Sequence, residues 1–298
     1  MRADRRTLLL GAGALALAAC SREVEAVEAE VDATVETLDL DLSDLEERHG
    51  GRLGLAIALA GANAAWRGDE RFVYCSTFKM YLAAATLLRV QAGQERLDRA
   101  IPITAADMIN HAPTTEPAVG STLTVEQLMK ATVELSDNPA ANILIREMGG
   151  LEPFRAFYRG IGDDSTRIDR LEPEMNRADG DKDTITPIQS VQNISRLLVS
   201  PDTSLNAASK ALLMRWMTDT PTGQGRIKAG VPAGWAVAHK TGSGGYGPIN
   251  DIGLIQPPTG APVVIAVYFH ATRDSTDAQR EAVIADATRL ALKALGHG

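Results

Sequence analysis

Strand-like runs sit at the two ends of the chain and helical ones in the middle, and this distribution constrains the fold more than any other feature. "RLGLAIALA" (52 to 60) is an apolar run of strand length, and "GAN" turns it into a second strand around Ala64 to Arg67. Three more strand patterns, "GWAVAHK", "NDIGLIQ" and "APVVIAVYFH", lie beyond residue 230. Between them, helical patterns run from Ser76 to about Gly93 and through "TLTVEQLMKATVELSDNPAANILIREMGG", where Thr124 and Gln127 have capping-box spacing. Further helices are expected over about 187 to 199 and 206 to 218, and a last one from Thr276 to Leu295, stopped by Gly296. The economical arrangement is an α+β fold. It has a mainly antiparallel five-stranded sheet built from both chain ends and faced by terminal helices, with an all-helical domain inserted between them. The expected divisions are an export signal (1–20), an acidic spacer (21–40), a discontinuous α/β domain (41–72 and 219–298) and an all-α domain (73–218).

The 298 residues are 45% hydrophobic, enough for an enzyme-sized core. A net charge of -8 offers no broad basic field for phosphates, which argues against a nucleic-acid partner.

The opening "MRADRRTLLLGAGALALAAC" has a basic start, a short apolar run and small residues ahead of Cys20, the pattern of an export signal. The run from Leu8 to Ala18 is too short for a stable membrane-spanning helix. Arg5 and Arg6 resemble a twin-arginine signal, and Leu17 to Cys20 resemble a lipoprotein box in which Cys20 would be lipidated; the alternative is an ordinary cut near Ala19. Either route leads to the periplasm or to an outer-membrane-anchored lipoprotein. With Cys20 lipidated or removed, Cys75 has no intrachain partner, which excludes a disulfide framework and a cysteine-built zinc site. The five histidines lack His-x-x-x-His spacing, which argues against a metal hydrolase; no metal and no cofactor is expected.

"YCSTFKMYLAAATLL" (74 to 88) sets Ser76 and Lys79 three apart at the head of a helix. Such a serine is most often a cap. It can also be a nucleophile, because the free N–H groups and positive dipole end of a helix start can meet an oxyanion, and Lys79 lies on the same face one turn on. "SDN" at Ser136, Asp137 and Asn138 reads alone as a turn beside Pro139, and "KTG" at Lys240, Thr241 and Gly242 as the end of an edge strand. Together and in this order the three motifs form a known set.

The chain thus resembles the class A serine β-lactamases, over about residues 40 to 296. "TRIDRLEPEMN" (166 to 176) is similar to the family's omega loop, which would span about 163 to 187 here, with Glu172 in the Glu-x-x-x-Asn position; Asn142 and the spacing of Arg226 before Lys240 also match. The resemblance implies that Ser76 attacks the lactam carbonyl and that Lys79, or Glu172 through a water, takes its proton. It implies that the N–H groups of Ser76 and Ser243 form the oxyanion hole and that Ser136, assisted by Lys240, protonates the departing nitrogen. Thr241, Ser243 and Arg226 would hold the substrate carboxylate and Asn138 the acylamide chain. Glu172 with Asn176 would activate the deacylating water, and an Arg170 to Asp183 salt bridge would pin the loop. The implied product is β-lactam resistance, the implied partners are β-lactam substrates alone, and the protein is expected to be a monomer.

Four departures from the family stand out. The omega loop is about two residues short between Asn176 and Asp183, and Leu171 replaces an aromatic. His111 stands where a Tyr or Trp usually rims the site, and it could still stack on substrate. Cys75 precedes the nucleophile as in carbapenem-hydrolysing members, but Gly244 stands where their bridging cysteine would be. Two competing readings remain at this level. One is a DD-peptidase or penicillin sensor, against which Glu172 and Asn176 argue; the other is an inactive envelope-binding module, which need not keep every proton-transfer group.

Overall fold

The computed structural model describes residues 36–245, 247–271 and 274–297. The export signal, Cys20 and most of the acidic spacer lie outside these residues.

The terminal runs form a single sheet. Its strands are β1 (Glu36–Leu38), β2 (Arg52–Leu59), β3 (Ala62–Trp66), β8 (Ala236–Ser243), β9 (Pro248–Gln256) and β10 (Val263–His270), in the order β1-β3-β2-β10-β9-β8. Four short strands make two ribbons: β4 (Phe72–Val73) with β7 (Thr184–Ile185), and β5 (Ala100–Pro102) with β6 (Thr122–Thr124). Among the described residues the sheet therefore has six strands where five were expected. The extra one, β1, pairs parallel to β3 and falls inside the stretch read as a solvated spacer. Acidic composition hid it; the Leu residues that follow at 40 and 42 are buried, so the chain is already core-forming there. All other pairings in the sheet are antiparallel.

Helices α1 (Ser43–His49), α8 (Ile227–Gly230) and α9 (Asp277–Ala294) pack on one face. Their contact is built from alternate strand residues such as Leu53, Leu55, Ile57, Ile265 and Val267, as a two-residue side-chain period requires. The other face carries Ala56, Ile252, Leu254, Ala266 and Tyr268 to the second core. That core is shared with α2 (Phe78–Gln91), α3 (Val125–Glu134), α4 (Asn138–Met148), α5 (Leu151–Gly160), α6 (Pro187–Ile194) and α7 (Ala207–Asp219). Thr124 and Gln127 form the expected capping box on α3, and Thr276 caps α9 in the same way.

Two local results differ from expectation. Ser76 lies in a 3-10 turn, Cys75–Thr77, ahead of α2, and its side chain caps nothing. "KTG" does not end its strand: β8 continues through Lys240, Thr241 and Gly242 to Ser243 at the sheet edge.

This edge is docked to the turn that carries Ser76. Asn250 of β9 donates to the carbonyls of Val73 and Tyr74, at 2.9 and 3.0 Å. Gly242 makes the approach sterically feasible, since a Cβ there would lie 2.7 Å from the Tyr74 oxygen. A strand from the chain's end and a turn from its first third are thereby held in one register.

Candidate active site

Ser76, Ser136, Asn138, Asn176, Arg226, Thr241, Ser243 and His111 all line one cavity of about 450 Å³, between the β8 edge, the helical layer and the omega segment. Lys79, Glu172 and Lys240 are buried in the wall beside it.

Lys79 Nζ is the hub. It donates to Ser76 Oγ at 3.0 Å, to the Ser136 carbonyl at 2.7 Å and to Asn138 Oδ1 at 2.5 Å, and it pairs with Glu172 Oε1 at 3.0 Å. Both members of the ion pair have fully buried side chains. Burial lowers the Lys79 pKa from its ordinary value, and the Glu172 carboxylate opposes that shift. Ser76 Oγ lies 3.3 Å from Glu172 Oε1, so the carboxylate and the Lys79 nitrogen are both within hydrogen-bond reach of the hydroxyl.

Glu172 is positioned from both sides. Asn142 of α4 clamps its backbone, donating to the Glu172 carbonyl at 2.9 Å and accepting from its N–H at 3.1 Å. Asn176 Nδ2 donates to Oε2 at 2.5 Å, leaving Asn176 Oδ1 buried without a partner among the described residues. The loop carrying this pair is anchored by Asp183, whose carboxylate accepts from Arg170 Nε at 2.5 Å and from the N–H groups of Asp169 and Arg170. Asp183 also abuts the Ser76 turn: its carbonyl accepts from Tyr74 N–H, and β4 pairs with β7 immediately beyond.

Lys240 Nζ donates to Ser136 Oγ at 3.1 Å and to the Thr241 carbonyl at 2.9 Å. Its pKa lies well below the ordinary value, because burial and then the Lys79 cation disfavour its charge. Substituting it tests this directly. The unfolded chain keeps the lysine proton up to about pH 10.4; the folded chain releases it earlier, so in between the unfolded state binds more protons and wild-type stability rises with pH. Lys240→Met is expected to melt above wild type near neutrality, with the difference shrinking as the pH is raised toward about 10. A difference that stays constant across thermal melts in that range would rule out the lowered pKa.

Backbone strain gathers at the same place. Of the five non-glycine residues with positive φ among the described residues, Cys75, His111, Ser136 and Asp183 all adjoin the cavity or its loop. Such conformations cost about 1 to 3 kcal/mol each and persist where the surroundings hold them. Asp137, the N-cap of α4, does so for the Ser136 turn: it accepts from the N–H groups of Ala140, Thr114 and Thr115. His111 is exposed at the rim, its Nε2 2.9 Å from the Leu135 carbonyl.

Arg226 lies behind Ser243. It donates to the carbonyls of Gly242 and Asn250 and, at 2.9 Å, to Ser243 Oγ, with Glu281 on its Nε. Cys75 is buried, which raises its thiol pKa, and its Sγ would sit 3.2 Å from a Cβ on Gly244. Asn110 and Thr222 also line the cavity; no sequence motif marked either, and both enter on irregular segments between elements. His239 and Asp251, 2.8 Å apart and fully buried, pair on the α8–α9 face and do not line the cavity.

These positions invite comparison with known proteins. A family model described as the β-lactamase enzyme family matches residues 37–295. The chain is 39% identical to β-lactamase OXY-2 of Klebsiella oxytoca over 268 residues, 88% of this chain and 91% of the relative. It is 39% identical to β-lactamase CTX-M-8 of Citrobacter amalonaticus over 250 residues, 83% and 85% of the two chains. Among solved structures, the ancestral class A β-lactamase called GNCA superposes with a TM-score of 0.81 at 46% identity, covering 85% of this chain and 98% of its own. A β-lactamase from Xanthomonas campestris does so at 0.81 and 40% identity, covering 85% and 96%. A serine, two lysines and a glutamate gathered on this α+β frame, with likeness of this extent, mean that the chain belongs to the β-lactamase enzyme family and, within it, to the class A serine enzymes.

Proposed function

We propose that the chain hydrolyses the amide of penicillins and cephalosporins through an acyl-enzyme on Ser76 and so confers β-lactam resistance. One observation carries the hydrolytic reading. The Glu172 carboxylate lies 3.3 Å from Ser76 Oγ on one oxygen and is gripped by Asn176 on the other, while Asn176 Oδ1 is a buried acceptor without a partner among the described residues. A water placed there could donate to both residues and attack an ester on Ser76. This favours a hydrolase over a penicillin sensor, which needs acylation only.

Acylation begins as Ser76 Oγ attacks the lactam carbonyl while Lys79, or Glu172 through a water, takes its proton. The oxyanion meets the N–H groups of Ser76 and Ser243, each worth about 3 to 4 kcal/mol of barrier. Ser136 Oγ, between Lys79 and Lys240, protonates the departing nitrogen and is reprotonated from that cationic pair. Thr241, Ser243 and Arg226 hold the substrate carboxylate, Asn138 the acylamide chain, and His111 borders the side-chain end of the cavity. Deacylation follows by the Glu172-activated water, and the Arg170 to Asp183 pair keeps that base in place. An α/β domain formed by both chain ends and an all-α domain formed by the middle enclose the site.

The enzyme works outside the cytoplasm as a monomer, exported by its leader and, where Cys20 is lipidated, anchored to the outer membrane; gram-negative relatives such as the Klebsiella oxytoca enzyme accord with this setting. Among the described residues no helix is long and apolar enough to cross a membrane. Intact mass followed after addition of benzylpenicillin tests the function: the protein is expected to consume the drug and return to its free mass. Stable acylation would instead make it a penicillin-binding protein, and no acylation at all a binding module.

A further inference from the structure

We infer that a directed row of threonine hydroxyls behind the cavity, Thr220 to Thr222 to Thr241, determines how Thr241 meets the substrate carboxylate. The inference rests on the β-lactam reading above and concerns its carboxylate site.

The direction follows from counting protons. Thr220 Oγ1 donates to the Glu134 carbonyl at 2.7 Å. That carbonyl belongs to the last residue of α3, where the helix supplies no N–H of its own, and a carbonyl can only accept. A hydroxyl has one proton, so Thr220 has none left to give. Its oxygen lies 2.9 Å from Thr222 Oγ1, and that bond must be donated by Thr222. Thr222 has then spent its own proton. The 2.9 Å contact between Thr222 Oγ1 and Thr241 Oγ1 must accordingly be donated by Thr241. Thr220 also accepts from the Thr222 N–H at 3.3 Å, which fills its second lone pair and leaves the row no reason to reverse.

In the resting site Thr241 therefore turns its proton toward Thr222 and presents lone pairs to the cavity. An incoming carboxylate is itself an acceptor. To donate to it, Thr241 must give up its bond to Thr222, so the row weakens carboxylate binding by roughly five-fold. Thr220 acts entirely through its neighbours: it is 2% exposed and does not line the cavity, whereas Thr222 and Thr241 do. Thr222 and Thr220 are positioning residues.

The test is the dissociation constant that precedes acylation, measured by stopped flow with a chromogenic cephalosporin on Thr220→Val, Thr220→Ser and Thr222→Val. Valine at 220 removes the proton sink, lets Thr222 turn its hydroxyl toward Thr241, and frees the Thr241 proton for the substrate. The expected result is a dissociation constant about five-fold lower than wild type in both valine variants, with the acylation rate constant of Thr220→Val, which lies outside the cavity, within about two-fold of wild type. Serine at 220 keeps the row and should restore the wild-type value. The same cephalosporin with its carboxylate esterified should bind wild type and variants alike. An unchanged or higher constant in the valine variants, or an equal gain with the ester, overturns the inference; Thr222→Val decides the matter if Thr220→Val does not fold. Failure of the β-lactam reading itself would show separately, as absence of acylation in the wild type.

Discussion

Ser76→Ala is expected to lower kcat for a chromogenic cephalosporin by roughly 10⁶-fold while the protein stays folded. Among the described residues the lost group is the only hydroxyl that Lys79 and Glu172 both reach, at 3.0 and 3.3 Å. Its Oγ makes no capping bond, so the turn and α2 lose no structural support with it. Lys79 keeps its bonds to the Ser136 carbonyl and Asn138 and its ion pair with Glu172, so no buried charge is stranded. Removing a nucleophile costs most where the other groups act only in concert with it. Circular dichroism and Tm should match wild type, and the mass should not change on mixing with benzylpenicillin. A variant that still hydrolysed the cephalosporin at more than about a hundredth of the wild-type rate would displace Ser76 from the mechanism.

Glu172→Gln should separate the two half-reactions. The change is nearly isosteric and can keep a bond to the Asn176 side chain, while Asn142 binds only the Glu172 backbone and is untouched. What disappears is the basicity that turns a water into a nucleophile, worth about 10² to 10⁴ in rate. The variant is expected to become acylated by benzylpenicillin and to stay one acyl group heavier for minutes to hours, whereas wild type returns to its free mass. Acylation should slow less, since Lys79 remains 3.0 Å from Ser76 Oγ and no longer faces a carboxylate that favours its charged form. A variant that shed its acyl group as fast as wild type would place the deacylating base elsewhere.

Much of the site was legible in the chain because its groups come in short local motifs. Ser76 and Lys79 share a helix face by spacing alone, and Glu172 and Asn176 sit one turn apart in one loop. Thr222 and Asn110 carried no such signal. Each reaches the cavity from an irregular segment, and its use depends on which distant neighbour the fold sets beside it. Ser76 shows the limit of a local rule: helix-start preference marks it as a cap, yet the structure gives its oxygen to Lys79 and Glu172.

The sheet shows the same division. Strand periodicity located β2, β3, β8, β9 and β10, because half-buried strands need alternating or continuous apolar residues. It missed β1, three residues whose pairing with β3 compensates for an acidic, exposed composition. It also stopped β8 at Lys240, since Thr241 and Gly242 look like a strand terminus until burial and pairing with Asp251 and Asn250 hold them in the sheet.

By itself, then, the sequence indicated the main helices and strands and the assembly of the sheet from both chain ends, and its short motifs, through their likeness to a known family, singled out Ser76, Lys79, Glu172 and Lys240 as candidates. Only the tertiary structure decided the charge balance around Lys79, the lowered pKa of Lys240 and the direction of the Thr220 to Thr241 hydroxyls. Desolvation and proton direction are set by atoms that meet across more than fifty residues of chain, such as Lys79 with Ser136 and Thr220 with Glu134, and no local pattern records them.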